Sequence, residues 1–147
     1  MLKKITKSIK QTQKIGEEIA KGILKLPAIK TATVLGLHGN LGAGKTTFLQ
    51  GFAKGLKIKD KVLSPTFVIQ KRFKIKDRNF KNFYHIDCYR LKDHKDMSAL
   101  DFKEIISDPE NIIAIEWPGK IKKVLPKGVI NIDFRFIDDK TRELTFK

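Results

Sequence analysis

The chain has 147 residues, 41% of them hydrophobic, which suffices to bury a core as one globular domain over 1–147 and excludes a disordered tail. Its single cysteine, Cys88, excludes an internal disulfide and any multi-cysteine zinc or iron–sulfur site. No apolar run approaches the roughly 18 residues of a membrane span, so the expectation is a reduced, soluble, cytoplasmic protein with no membrane partner. A formal charge of +15 would attract polyanions, but its lysines are spread along the chain beside abundant isoleucine, as a general compositional bias would also place them.

From Ser8 to Lys25, Ile15, Ile19, Ile23 and Leu26 recur at helical spacing among Lys and Glu, which predicts an amphipathic helix stopped by Pro27. Thr31–Leu37 is short and mostly apolar, as a buried strand would be. The glycine-rich His38–Gly44 follows, and from Lys45 the residues Phe48, Leu49, Phe52, Ala53 and Leu56 mark one stripe of a second helix. Phe67–Ile75 and Phe80–Asp87 flank the turn-like Lys76-Asp77-Arg78-Asn79 and read as a hairpin. A helix is predicted near Ser98–Ile106, where Ser98 and Asp101 have capping-box spacing. Asn111–Trp117 is another apolar strand, closed by Pro118-Gly119. In Val129–Ile137, Ile130, Ile132, Phe134 and Phe136 alternate with polar residues, and Asp138-Asp139 turns the chain into Thr141–Phe146. Helices and strands so mixed predict an α/β fold whose mixed sheet has antiparallel edge hairpins and flanking helices.

Gly39-Asn40-Leu41-Gly42-Ala43-Gly44-Lys45-Thr46 fits the phosphate-loop pattern G-x-x-x-x-G-K-[ST] and lies where that pattern has meaning, between a buried strand and an amphipathic helix. Glycines let successive amides curl around a phosphate, and the helix adds its positive dipole end. Lys45 is placed to reach the β- and γ-phosphates and the Thr46 hydroxyl to ligate Mg²⁺. Two apolar strands end in carboxylates, at Glu116 and Asp87, as expected of acids at the ligand-binding edge of an open α/β sheet. One would hold the metal and the other orient water. Thr66, on a loop after the second helix, is a candidate γ-phosphate sensor. His38 and His85 read as structural, and Arg90 is the one candidate for an arginine finger in the chain itself.

No Asn-Lys-x-Asp guanine signature is present, which favours ATP. Three classes remain open on these residues. They are an ATPase switch serving a partner, a small-molecule kinase with Lys71, Arg72, Lys74, Lys76 and Arg78 as a lid, and a nucleic-acid-binding module with regulatory nucleotide. The kinase needs a second pocket for which little chain is left after the loop helix, so the switch is the better physical reading.

Four blocks in fixed order make a resemblance specific: Gly39 to Phe48, Ser64-Pro65-Thr66-Phe67, His85-Ile86-Asp87-Cys88-Tyr89-Arg90-Leu91 and Ile115-Glu116-Trp117-Pro118. Together they resemble the TsaE (YjeE) family, bacterial P-loop ATPases of tRNA threonylcarbamoyladenosine synthesis. The similarity extends to Thr12 and Gly16 in the first helix and to Thr141-Arg142 before the last strand. It implies a three-layer P-loop fold that binds ATP and Mg²⁺ and hydrolyses ATP slowly alone. It implies action with TsaD and TsaB, which transfer the threonylcarbamoyl group to the adenosine beside the tRNA anticodon, hydrolysis resetting their complex. Carried over, nucleotide contacts fall on Thr12, Asn40, Leu41, Gly42, Ala43, Gly44, Lys45, Thr46 and Thr47. Thr46, Glu116 and Asp87 form the metal site, and Glu116, Asp87 and Thr66 serve hydrolysis. The chain departs at Asn40, where members commonly have Asp, and only loosely matches the family over Ala99–Phe102.

Overall fold

The computed structural model describes residues 1–27, 29–60, 62, 70–92 and 101–147. Its elements in chain order are β1 (Leu2–Thr6), α1 (Ile9–Leu24), β2 (Thr33–His38), α2 (Lys45–Gly55), β3 (Gln70–Lys74), β4 (Asn82–Asp87), α3 (Phe102–Ser107), β5 (Asn111–Glu116), β6 (Ile130–Phe136) and β7 (Arg142–Phe146). Turns of 3₁₀ helix cover Pro118–Val124. Parallel and antiparallel pairs both occur and helices accompany them, the α/β class that the order of elements predicts. The contacts gather into two units, residues 1–26, 38–64 and 131–147 in one and 27–37 and 65–130 in the other.

In the first unit the strands run antiparallel in the order β1-β7-β6, with Leu2 opposite Phe146 and Thr6 opposite Arg142. The pattern of the sequence does not announce β1. Leu2-Lys3-Lys4-Ile5 is exposed throughout and only Thr6 is buried, so the strand is held by the hydrogen-bonding edge of β7 and not by an apolar face. Ser8 caps α1 by accepting the Gln11 N–H on Oγ (3.1 Å), and Gln11 Oε1 accepts the Lys7 N–H in return (2.7 Å).

The face that α1 buries differs from the expected one. Thr12, Gly16, Ala20 and Ile23 are buried, whereas Ile15 and Ile19 flank them half-covered and Leu26 is exposed. Small residues occupy the centre because α2 lies directly on them. A Cβ on Gly16 would sit 2.1 Å from the Phe48 carbonyl oxygen, and one on Gly51 only 1.8 Å from that of Gln13. The other side of α2 carries Phe48, Leu49 and Phe52, all with no exposed surface. Phe48 meets Phe134 of β6 edge-on, with ring centroids 5.3 Å apart, a contact worth about 0.5–1.5 kcal/mol beyond the area it buries.

In the second unit β2, β5 and β4 are parallel and β3 runs antiparallel beside β4, in the order β2-β5-β4-β3. The predicted hairpin is present: Phe73 pairs with Phe83 and their rings stack at 5.8 Å, while residues 67–69 lie outside the described residues. One face of the parallel strands buries Val34, Ile86, Ile113 and Ile115 with Phe102, Ile105 and Ile106 of α3. Asn111 ties helix to strands, donating from Nδ2 to the Ile105 carbonyl (2.9 Å) and accepting from Asn82 (3.0 Å). The helix starts later than the predicted Ser98. Asp101 stands at its N-cap with φ 53° and no side-chain cap, so it does not complete a capping box, and Ser98 itself lies outside the described residues.

Because the α1–α2 contact is backbone against backbone, Gly51→Ala forces the helices apart. It should destabilise the protein by about 1–3 kcal/mol or more, read as a lowered midpoint in urea unfolding, whereas Gly22→Ala, with open space around the added methyl, should be neutral or stabilising.

Candidate nucleotide site

The parallel register sets the site's frame. Leu37 pairs with Glu116 and Glu116 with Asp87, so three strands end at one level, and there the chain leaves β2 for the glycine loop. Gly39, Gly42 and Gly44 adopt φ of 146°, 80° and 105°, a region that residues with a Cβ rarely enter. At Gly39 a side chain would also collide with the Phe134 carbonyl, 2.6 Å from the added atom. A turn bond from the Ala43 N–H to the Asn40 carbonyl (3.1 Å) tightens the loop, and Ala43 packs inward while Asn40 and Leu41 are exposed.

Gly44 opens α2, whose first intrahelical bond runs from the Phe48 N–H to the Gly44 carbonyl (2.9 Å). The amides of the preceding turn therefore face the loop, at the positive end of the helix dipole. Lys45 is buried, and its ammonium folds back across the loop to the Gly39 carbonyl at 2.5 Å. A cation is thus held over a concave ring of backbone, an arrangement fitted to a phosphate tail. Thr46 and Thr47 follow, half-buried on the first turn.

Arg142, at the start of β7, lies beside the glycine loop. Its Cγ lies 3.5 Å from where a Cβ on Gly44 would be. Its guanidinium rests on the Phe136 ring at 4.6 Å and donates to the Asp138 and Thr141 carbonyls (2.6 and 3.1 Å). Thr12 is buried, its hydroxyl 2.7 Å from that of Thr6 and 3.4 Å from the Ser8 carbonyl. His38 Nε2 meets Asn131 Oδ1 at 2.8 Å. Thr66 lies outside the described residues.

On the parallel strands, His85, Asp87, Ala114 and Glu116 share one face by register. Glu116 is buried, and its Oε2 lies 2.7 Å from the Nε2 of His85, the residue expected to be structural. Asp87 is partly exposed and accepts the Tyr89 N–H on Oδ1 (2.9 Å). Immediately after Glu116 the chain turns sharply: Trp117 has φ 59° and ψ 50°, unusual for a bulky residue and worth roughly 1–3 kcal/mol of strain. The turn is secured by the Trp117 N–H to the Leu37 carbonyl (3.3 Å) and by the Tyr89 ring, 5.1 Å from the indole. Lys71, Arg72 and Lys74 are ladder residues of β3, paired with His85, Tyr84 and Asn82.

A buried strand that runs into a lysine-bearing glycine loop and a helix, with carboxylates ending the parallel strands beside it in register, defines a P-loop NTPase-like α/β protein. Residues 6–144 match the family described as threonylcarbamoyl adenosine biosynthesis protein TsaE. The tRNA threonylcarbamoyladenosine biosynthesis protein TsaE of Bacillus subtilis is 39% identical over 134 residues, covering 90% of this chain and 81% of that protein. Its counterpart in Aquifex aeolicus is 35% identical over 142 residues, covering 95% and 91%. The crystal structure of Bacillus subtilis YdiB superposes with a TM-score of 0.75 at 34% identity, covering 99% of this chain and 83% of that one. The chain belongs to the TsaE family. Among the described residues no helix is long and apolar enough to cross a membrane.

Cys88 follows Asp87 into the core with no exposed surface. Burial, then the nearby Asp87 and Glu116 carboxylates, push its thiol up to about 12. The native thiol should therefore resist iodoacetamide at pH 8 and react once the chain is unfolded, as intact mass will report. Its pKa is higher folded than unfolded, so stability should fall as pH rises from the ordinary thiol range towards about 12. Cys88→Ala should flatten that part of the pH profile of urea unfolding.

Proposed function

We propose that this chain binds ATP with Mg²⁺ and hydrolyses it as the ATPase of tRNA threonylcarbamoyladenosine biosynthesis, acting in the cytoplasm with TsaD and TsaB. The observation that carries the reading is the loop, where three positive-φ glycines and the folded-back Lys45 ammonium form a cradle at the N-terminus of α2. In this reading the residues Asn40 to Thr47 wrap the phosphates, and Lys45 exchanges the Gly39 carbonyl for phosphate oxygens. Thr12 lies beside the nucleotide, and Thr66 senses its γ-phosphate.

The oxygen donors suit a hard cation: the Thr46 hydroxyl with the carboxylates of Glu116 and Asp87. Mg²⁺, when bound, would supply charge neutralisation on the β- and γ-phosphate oxygens. One carboxylate holds that cation or its water shell and the other orients the attacking water. Turnover by the isolated chain is slow, and docking of the partner proteins completes the site. The tRNA is met through those partners.

Two substitutions separate binding from chemistry. Lys45→Ala should abolish tight ATP binding in a calorimetric titration, and affinity within a few-fold of wild type would refute the reading of the loop. Glu116→Gln should keep nucleotide affinity in the absence of Mg²⁺ while steady-state phosphate release falls by roughly 10²-fold or more; unchanged release would remove Glu116 from the hydrolytic role. Adding TsaD and TsaB should raise wild-type phosphate release.

A further inference from the structure

A carboxylate taken out of water must be paired, or its charge costs several kcal/mol. Glu116 is 4% exposed, and the partner that meets it is the imidazole of His85, itself 2% exposed. The two come from parallel strands in fixed register: His85 lies opposite Ala114 and Asp87 opposite Glu116. Ala114, opposite His85, carries only a methyl group, and His85 Nε2 lies 2.7 Å from Glu116 Oε2. An imidazole held on one carboxylate oxygen restricts rotation of the group and leaves Oε1 as the second donor atom.

We propose that His85 is the positioning residue of Glu116: its Nε2–H donates to Oε2 and fixes the carboxylate so that Oε1 meets the cation or its water. This rests on the reading of Glu116 given above and adds the group that makes that carboxylate a directed ligand. His85 itself touches neither nucleotide nor metal.

The first test uses the full chain free of nucleotide and metal. In ¹⁵N-histidine spectra His85 should show a slowly exchanging proton on Nε2, lost in Glu116→Ala; an unprotonated Nε2 in the wild type would overturn the proposal. The second measures how far Mg²⁺ tightens ADP binding in His85→Gln and His85→Leu, with Glu116→Gln as the reference. The Gln amide reaches as Nε2 does and should keep the tightening, whereas Leu should weaken it roughly 10–100-fold. If Glu116→Gln loses the tightening while His85→Leu keeps it, the ATPase reading stands and the positioning role falls. If neither variant moves it, the metal-binding role of Glu116 fails and takes this inference with it. Should His85→Leu not fold, the Gln variant and the wild-type spectra still decide: a folded His85→Gln that loses the tightening also counts against the proposal.

Discussion

The register that aligns Leu37, Glu116 and Asp87 at the ends of β2, β5 and β4 is the constraint on which the rest depends. A slip of one residue in β5 would turn Glu116 to the opposite face, where Ile113 and Ile115 pack against α3, and would bury a charge among isoleucines. The run Ile112-Ile113-Ala114-Ile115 is apolar on both faces, so it is the carboxylate at its end that makes that slip costly. The same register delivers His85 to Glu116, 31 residues away in sequence, through the pairing of β4 with β5.

The loop follows from a second demand, that the chain pass from β2 into α2 within a few residues. Gly39 and Gly44 permit backbone angles closed to other residues, and Gly39 also clears the β6 carbonyl that passes it. Lys45 is then brought back over the loop by the first turn of α2. Electrostatics and sterics agree, because the curvature that only glycine allows is what turns amides and ammonium toward one point.

Much of this was legible in the chain itself. The strand, glycine loop and helix were marked by composition and period, and so were the acids at Glu116 and Asp87. The clean alternation of β6 gave its inward residues up to Phe134, but Phe136 is exposed, with the Arg142 guanidinium resting on its ring. What escaped depends on neighbours. β1 has no apolar pattern because a strand edge holds it, and the buried stripe of α1 consists of Thr12, Gly16 and Ala20, which hydropathy ranks below the isoleucines flanking them. The hairpin of β6 and β7 was announced by its Asp138-Asp139 turn, but that it sets Arg142 beside Gly44 was not. The contact of His85 with Glu116 was half visible, since the spacing His85-Ile86-Asp87 sets both polar side chains on one face. Its partner came only with the pairing of β4 and β5.

The glycine seam between α1 and α2 bears on how the second helix is supported. With Gly16 and Gly51 seated directly on main-chain oxygens, no larger residue fits at either place and α1 and α2 pack backbone against backbone. The helix that opens with Lys45 is thereby braced on α1, a stiff support for the nucleotide cycle proposed above.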